Sequence, residues 1–305
     1  MPVETNNFDV IIIGGGPAGM SAAIKCAELG IDAILLERET ELGGQLLWTY
    51  NPIENYPPFI AKNGRELRDH LLQRVENAGA KYLTNAAVEH VDLKQKIVRL
   101  ANGDRYSAKS IILGTGVRRR SLNVPGEIEL RGRGVLESGL KDREKARDKT
   151  VVIVGGGDAA VENACILSEV AKKIVIVHRR DRFTAQRRFV EFATGRQNVE
   201  MVFNSVVREI IGEAQVAAVK IKNLISDEDF VLPAEAVLIR IGVVPNSELF
   251  VEQLDQDERG FVFTIDTPNT NVSNIYAVGD VANPDDLTTT RATETGTEAV
   301  KRTKI

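Results

Sequence analysis

Val10–Gly19 reads V-I-I-I-G-G-G-P-A-G and Val151–Ala160 reads V-V-I-V-G-G-G-D-A-A, so one strand-then-glycine device occurs twice, 141 residues apart. Four β-branched residues in a row make a buried parallel strand. The glycines that follow let backbone approach a ligand more closely than any residue with a side chain. A helix then opens, its free N–H groups and positive end aimed at the same point. Gly14, Gly16 and Gly19 in the first copy, and Gly155, Gly157 and Ala160 in the second, occupy the positions for tight bend, close approach and helix-to-strand contact. A lone G-x-G-x-x-G is weak; two copies in the same strand-turn-helix context predict an α/β chain with two Rossmann-like dinucleotide-binding domains.

The repeat also separates the two ligands. The second strand of the first copy, Ile31–Leu36, ends on Glu37, an acid placed to accept hydrogen bonds from a ribose 2′-hydroxyl. The equivalent of Glu37 in the second copy is His178, followed by Arg179 and Arg180, cations where a 2′-phosphate would sit. The second site is therefore read as an NADPH site. Near the C-terminus, Val278-Gly279-Asp280 ends a buried strand on a carboxylate suited to a sugar-alcohol hydroxyl, and with Gly14 and Glu37 it points to FAD at the first site.

Composition narrows the classes. At 305 residues there is room for two domains with full cores. A formal charge of −4 argues against nucleic-acid binding. Met1–Asn7 is polar without a signal-peptide core, and no apolar run approaches the roughly 20 residues that span a bilayer; a cytoplasmic protein without membrane contact is expected. Cys26 and Cys165 each fall on the helix after a glycine turn and read as small hydrophobes rather than a disulfide. Three scattered histidines give no support for a metal.

Along the chain, Leu67, Leu71 and Val75 define one face of a cover helix from Asn63 that stops at Gly79. Val88–Asp92, Ile97–Leu100 and Arg105–Ser107 read as a meander turning at Asn102-Gly103-Asp104, followed by a separate buried strand, Ser110–Leu113. Arg118–Gly134 is charged and turn-rich and suits an interdomain linker. Strand pairs follow at Glu200–Phe203, Val206–Ile211 and Val216–Ile221, then a strand Ala236–Ile241. The expected boundaries are a first part of the FAD domain over 1–117, an inserted NAD(P)H domain over 118–242, and the rest of the FAD domain over 243–305.

These motifs, with Gly43-Gly44-Gln45-Leu46, Ile53-Glu54-Asn55-Tyr56-Pro57, Gly114-Thr115-Gly116, Val124-Pro125-Gly126-Glu127, Gly132-Arg133-Gly134-Val135, His178-Arg179-Arg180-Asp181 and Ile241-Gly242-Val243-Val244-Pro245-Asn246, resemble the thioredoxin-reductase-like branch of the two-dinucleotide flavoproteins over nearly the whole chain. The resemblance implies FAD contacts at Gly14, Gly16, Glu37, Gly44, Gln45, Asn55, Gly116 and Asp280. It implies NADPH contacts at Gly155, Gly157, Asp158, His178, Arg179 and Arg180, and a homodimer; hydride transfer between the two cofactors needs no side chain as acid or base.

Three departures bear on function. The segment after Gly134 reads Val135-Leu136-Glu137-Ser138-Gly139-Leu140, where the family's reductases carry a C-x-x-C dithiol. Tyr50, four residues after Leu46, matches an aromatic that stacks on the flavin in similar chains that reduce ferredoxin or flavodoxin, although a Trp-x-Tyr can equally be packing. Those chains tend to have a C-terminal extension over the flavin, and Thr288–Ile305 has neither that nor the Arg-Gln pair of thioredoxin reductases. Thr184 stands where the family has a further arginine, with Arg182, Arg187 and Arg188 nearby either as substitutes or as a solvated helix face. Without a dithiol the leading acceptor is ferredoxin or flavodoxin, with Arg118, Arg119, Arg120, Arg131 and Arg133 either meeting such an acidic partner or forming a solvated linker. An atypical disulfide, quinone or oxygen acceptor, a different second-site ligand, and a non-catalytic flavin-binding sensor or complex subunit are the alternatives.

Overall fold

The computed structural model describes residues 5–303. The first residues of the N-terminal polar stretch and the last two of the C-terminal segment lie outside them. The chain divides into two compact units, one comprising the residues up to Arg118 and from Val244 onward, the other Arg119–Val243.

In the first unit the β-branched run belongs to a nine-residue strand, Thr5–Ile13, with parallel neighbours Ala33–Leu36 and Arg105–Leu113 on either side. Lys81–Leu83 extends the sheet beyond the former, and Ile275–Ala277 pairs in parallel with the latter. Val10, Ile11 and Ile12 are completely buried because both faces are covered. One face carries α1 (Pro17–Glu28), α2 (Gly64–Asn77) and a C-terminal helix, Thr289–Arg302. Leu67, Leu71 and Val75 point α2 into the core, and Asn63 caps it by accepting from the Glu66 N–H at 3.0 Å.

The second unit repeats the plan with a five-stranded parallel sheet. Its order is Val135–Leu136, Ala236–Ile239, Thr150–Val154, Lys173–Val177, Val199–Val202. α3 (Asp158–Ser168) and α4 (Arg187–Thr194) cover one face. An antiparallel meander, Ser205–Ile211, Ala218–Asn223 and Asp229–Pro233, joins the core on the other. The C-terminal helix is α5 in this numbering. Among the described residues no helix is long and apolar enough to cross a membrane.

Several local expectations are corrected. Arg105–Ser107 and Ser110–Leu113 are one strand, since Ala108 and Ser110 keep register with Phe8 and Val10 across a single ladder. The residues around Glu200 join the parallel sheet instead of pairing with the meander. Arg118–Gly134 is more than a linker. Leu130 is 1 % exposed in the second core, and the Ile210 N–H donates to the Pro125 carbonyl at 2.9 Å. The chain wraps this unit because its few apolar residues have a partner face to bury against.

α1 and α5 pack at the closest approach that backbone allows. A methyl group on Gly296 would lie 2.1 Å from the Ala18 carbonyl oxygen. Alanine is the better helix former by about 1 kcal/mol, yet Gly296→Ala is expected to lower stability by about 1–3 kcal/mol through overpacking. Urea unfolding monitored by circular dichroism reads the sign, and a stabilised variant would contradict the contact.

Candidate functional site

The first site is built at the C-terminal ends of adjacent parallel strands, the edge where open α/β sheets take ligands. Ile13 is in register with Leu36 on one side and Leu113 on the other, and Leu113 with Ala277. Four chain segments therefore leave the sheet at one level. Gly14 turns at φ +107°, its N–H donating to the Leu36 carbonyl at 2.9 Å; a methyl group there would lie 2.3 Å from the Gly114 oxygen. One on Gly19 would lie 1.9 Å from the Gly14 oxygen. Packing of the protein itself thus demands both glycines.

Gly16 is different. A methyl group on it would meet nothing nearer than Gly44 Cα at 4.0 Å, so the protein leaves space at the N-cap of α1 that its own atoms do not fill. No side chain caps α1 there, whereas Asn63 and Thr288 cap α2 and α5. An uncapped helix end beside an open glycine cradle fits a pyrophosphate.

Glu37 is 7 % exposed and oriented by the Gly15 N–H (2.6 Å) and the Glu39 N–H (2.9 Å), one on each carboxylate oxygen. Those bonds fix its position while leaving a lone pair on each oxygen for a sugar hydroxyl. Gly279 donates its N–H to Thr295 Oγ1 at 2.9 Å, and Asp280 follows it on a short 3₁₀ turn. The Asp280 carboxyl takes no hydrogen bond from the described residues; burial, with Asp286 nearby, pushes its pKa up to about 6. Gly44 closes over Gly16, Gln45 donates to the Val117 carbonyl at 2.8 Å, and Tyr50 is half-buried. The exposed Asn55 accepts from Thr290 Oγ1 through its backbone carbonyl.

Sequence reasoning assigned no role to Thr115, Asn246 or the first turn of α5. Thr115 and Asn246 exchange bonds at 2.7 and 2.8 Å and hold the turn that carries Gly116, whose carbonyl also accepts the Asn246 N–H. Thr288 caps α5 by accepting from the Arg291 N–H at 3.2 Å, and the reciprocal Thr115–Asn246 bond spans 131 residues of sequence.

The second site repeats the glycine turn of the first and changes the acid. Gly155, at φ +140°, donates to Val177 at 3.0 Å, and a methyl group on it would lie 2.0 Å from the Arg240 oxygen. Ala160 takes the place of Gly19 and is completely buried, and Gly157 is as open as Gly16, with Thr184 Oγ1 nearest at 3.8 Å. His178 lies over Gly156 as Glu37 lies over Gly15: a methyl group on Gly156 would come within 2.4 Å of the imidazole. Burial, and then the cations Arg180 and Arg179, hold His178 below the usual histidine range. Arg179 and Arg180 are exposed at the strand end. Asp158 is the first residue of α3, and its carboxylate accepts from Gln186.

Elsewhere the polar groups serve structure. Arg118 donates to the Pro245 carbonyl and Asn246 Oδ1 and pairs with Glu248. Arg120 reaches the Val243 carbonyl, and Arg133 the Glu129 and Glu213 carbonyls. In Val135–Leu140 the Glu137 and Ser138 N–H groups donate to Asp142 (2.7 and 3.2 Å), Gly139 donates to Asn163 Oδ1 (2.7 Å), and the Glu137 carbonyl accepts from both Arg119 and Arg240. Both cysteines are free; burial pushes the Cys26 thiol up to about 12 and raises that of Cys165. A cavity of about 560 Å³ between α1 and α5 includes none of the glycine-turn residues in its lining. Among the described residues no cluster could hold a metal ion.

A thioredoxin reductase from Listeria innocua is 37 % identical over 282 residues, covering 92 % of this chain and 88 % of that protein. The "34.2 kDa protein in rubredoxin operon" of Clostridium pasteurianum is 32 % identical over 280 residues, 91 % of this chain and 90 % of that one. The crystal structure of Lactococcus lactis thioredoxin reductase in its FR conformation superposes with a TM-score of 0.86 at 33 % identity, covering 97 % of each chain. The family model described as pyridine nucleotide-disulphide oxidoreductase matches residues 8–302. With two glycine turns at two parallel-sheet edges, one beneath a buried acid and one beneath a histidine that two exposed arginines follow, the chain belongs to the pyridine nucleotide-disulphide oxidoreductase family, as a thioredoxin-reductase-like enzyme whose cofactors are FAD and NADPH.

Proposed function

We propose that this flavoenzyme takes electrons from NADPH and delivers them to a one-electron carrier such as a ferredoxin or flavodoxin, without a protein dithiol, and that it acts as a cytoplasmic homodimer. The observation that carries this reading is the Val135–Leu140 segment. It contains no thiol, and its backbone groups are engaged by Asp142, Asn163, Arg119 and Arg240. Cys26 and Cys165 lie on separate helices in separate units, and their raised pKa values disfavour the thiolate that exchange chemistry needs. A relative named for a rubredoxin operon supports a small redox-protein partner.

In this reading Gly14 and Gly19 let the turn form, Gly16 and Gly44 admit the FAD pyrophosphate, Glu37 holds a ribose, and Gly116, Gly279 and Asp280 with Gln45, Tyr50 and Asn55 surround the flavin end. Gly155, Gly157 and Ala160 form the NADPH turn, with His178, Arg179 and Arg180 facing the 2′-phosphate. The bound cofactors supply hydride transfer to flavin and onward electron release, while the chain orients the rings. Arg118, Arg120 and Arg133 are exposed and also bond backbone carbonyls of their own unit.

Anaerobic titration with NADPH should bleach the bound flavin, and NADH should do so less effectively. Arg179→Ala with Arg180→Ala should narrow that gap, since each charge-assisted contact contributes about 1.5–3 kcal/mol. Equal use of both nucleotides by the unsubstituted protein would reject the NADPH assignment.

NADPH-dependent turnover of thioredoxin should be negligible while ferricyanide or a ferredoxin is reduced, and Cys26→Ser with Cys165→Ser should keep that rate. Thioredoxin turnover that disappears with the cysteines would reverse the acceptor argument.

Gly16→Val should abolish FAD content, because its side chain would fill the cradle. Asp280 gives a second readout. A carboxyl raised from 3.8 to about 6 in the folded FAD-free protein lowers stability as pH rises from about 4 to 6, by at most ~3 kcal/mol at pH 8. Asp280→Asn should therefore raise the thermal midpoint of the FAD-free protein at pH 8, leave it unchanged near pH 4, and weaken FAD retention. Equal midpoints at pH 8 would show that the carboxyl is not strained by burial.

A further inference from the structure

The loop that follows His178 is stitched to the glycine turn of the second unit at two points. Thr184 donates both its N–H (2.8 Å) and its hydroxyl (3.3 Å) to the Gly156 carbonyl. Gln186, the N-cap residue of α4, donates its backbone N–H to one oxygen of Asp158 at 2.6 Å and its side-chain amide to the other at 2.7 Å. Asp158 is itself the first residue of α3, so one carboxylate joins the starts of two helices. His178, wedged over Gly156, anchors the near end of the same loop.

Between these anchors Arg179, Arg180 and Arg182 are exposed, and among the described residues their guanidinium groups make no ion pair or hydrogen bond. Neighbouring Arg187, by contrast, is paired with Glu191, and Arg143 with Glu169. The loop thus presents three uncommitted cations on a backbone tied down at both ends. Such preorganisation favours one ligand geometry by reducing the ordering cost of binding.

We propose that Asp158 is a positioning residue for nucleotide discrimination, setting the arginine loop against the glycine turn through its paired bonds to Gln186 and not by contact with the nucleotide. A carboxylate at the start of α3 would repel a pyrophosphate; two donors from Gln186 hold it toward α4 and share its charge. The ligand feature it serves is a phosphate monoester on the ribose, the group that distinguishes the two pyridine dinucleotides. This rests on the reading of the second site as an NADPH site.

The test is calorimetric titration of the FAD-loaded protein with NADP⁺ and with NAD⁺, for the unsubstituted chain and for Asp158→Ala, Asp158→Asn and Gln186→Ala. Asp158→Ala should cut the preference for NADP⁺ roughly tenfold, the scale of one lost charge-assisted contact, with NAD⁺ affinity changed by less than about twofold. Asp158→Asn keeps an acceptor oxygen for the Gln186 N–H and should retain most of the preference. Gln186→Ala, which removes one of the two bonds, should fall between and decides alone if Asp158→Ala does not fold. Equal losses for both nucleotides would place Asp158 at their shared pyrophosphate and overturn the proposal, as would an unchanged ratio. An unsubstituted protein with no NADP⁺ preference would overturn the underlying reading, and the proposal with it.

Discussion

The carbonyl of Gly14 is the atom on which the first site depends. It lies where any side chain at Gly19 would be, so α1 can pack on the Thr5–Ile13 strand only if residue 19 has none. That contact sets the angle at which α1 leaves the sheet and hence the point its free N–H groups address. The Gly15–Glu37 bond then locks the neighbouring strand end to the same turn. Helix direction, acid position and open cradle are consequences of one backbone approach.

The second unit makes the same turn with a different partner above it. Glu37 accepts a hydrogen bond from the turn it covers, whereas His178 packs against its turn as a ring, with Arg179 and Arg180 following it. A shared turn with exchanged side chains is how one βαβ unit can be tuned to a ribose hydroxyl or to a ribose phosphate.

Polar groups away from the turns are largely spent on the fold. The Val135–Leu140 segment is held by Asp142, Asn163 and two arginines. Arginines that look like a docking patch in the sequence reach back to carbonyls of their own unit. A charge run reports where cations are in the chain and not which of them remain free once backbone acceptors come within reach.

The sequence by itself determined the two βαβ turns, the identity of the groups facing each one, and the absence of a thiol pair, since these are local patterns in which spacing and chemistry coincide. The α2 face was legible for the same reason: Leu67, Leu71 and Val75 share a helical period with a capping Asn63. Tertiary structure alone decided the rest. Thr115 meets Asn246, Gly279 meets Thr295 and Asp158 meets Gln186 only after distant segments converge at a strand end. The packing role of Pro125–Leu130 and the burial that raises Asp280 likewise depend on neighbours from elsewhere in the chain, because burial belongs to the assembled fold and no short window of sequence encodes it.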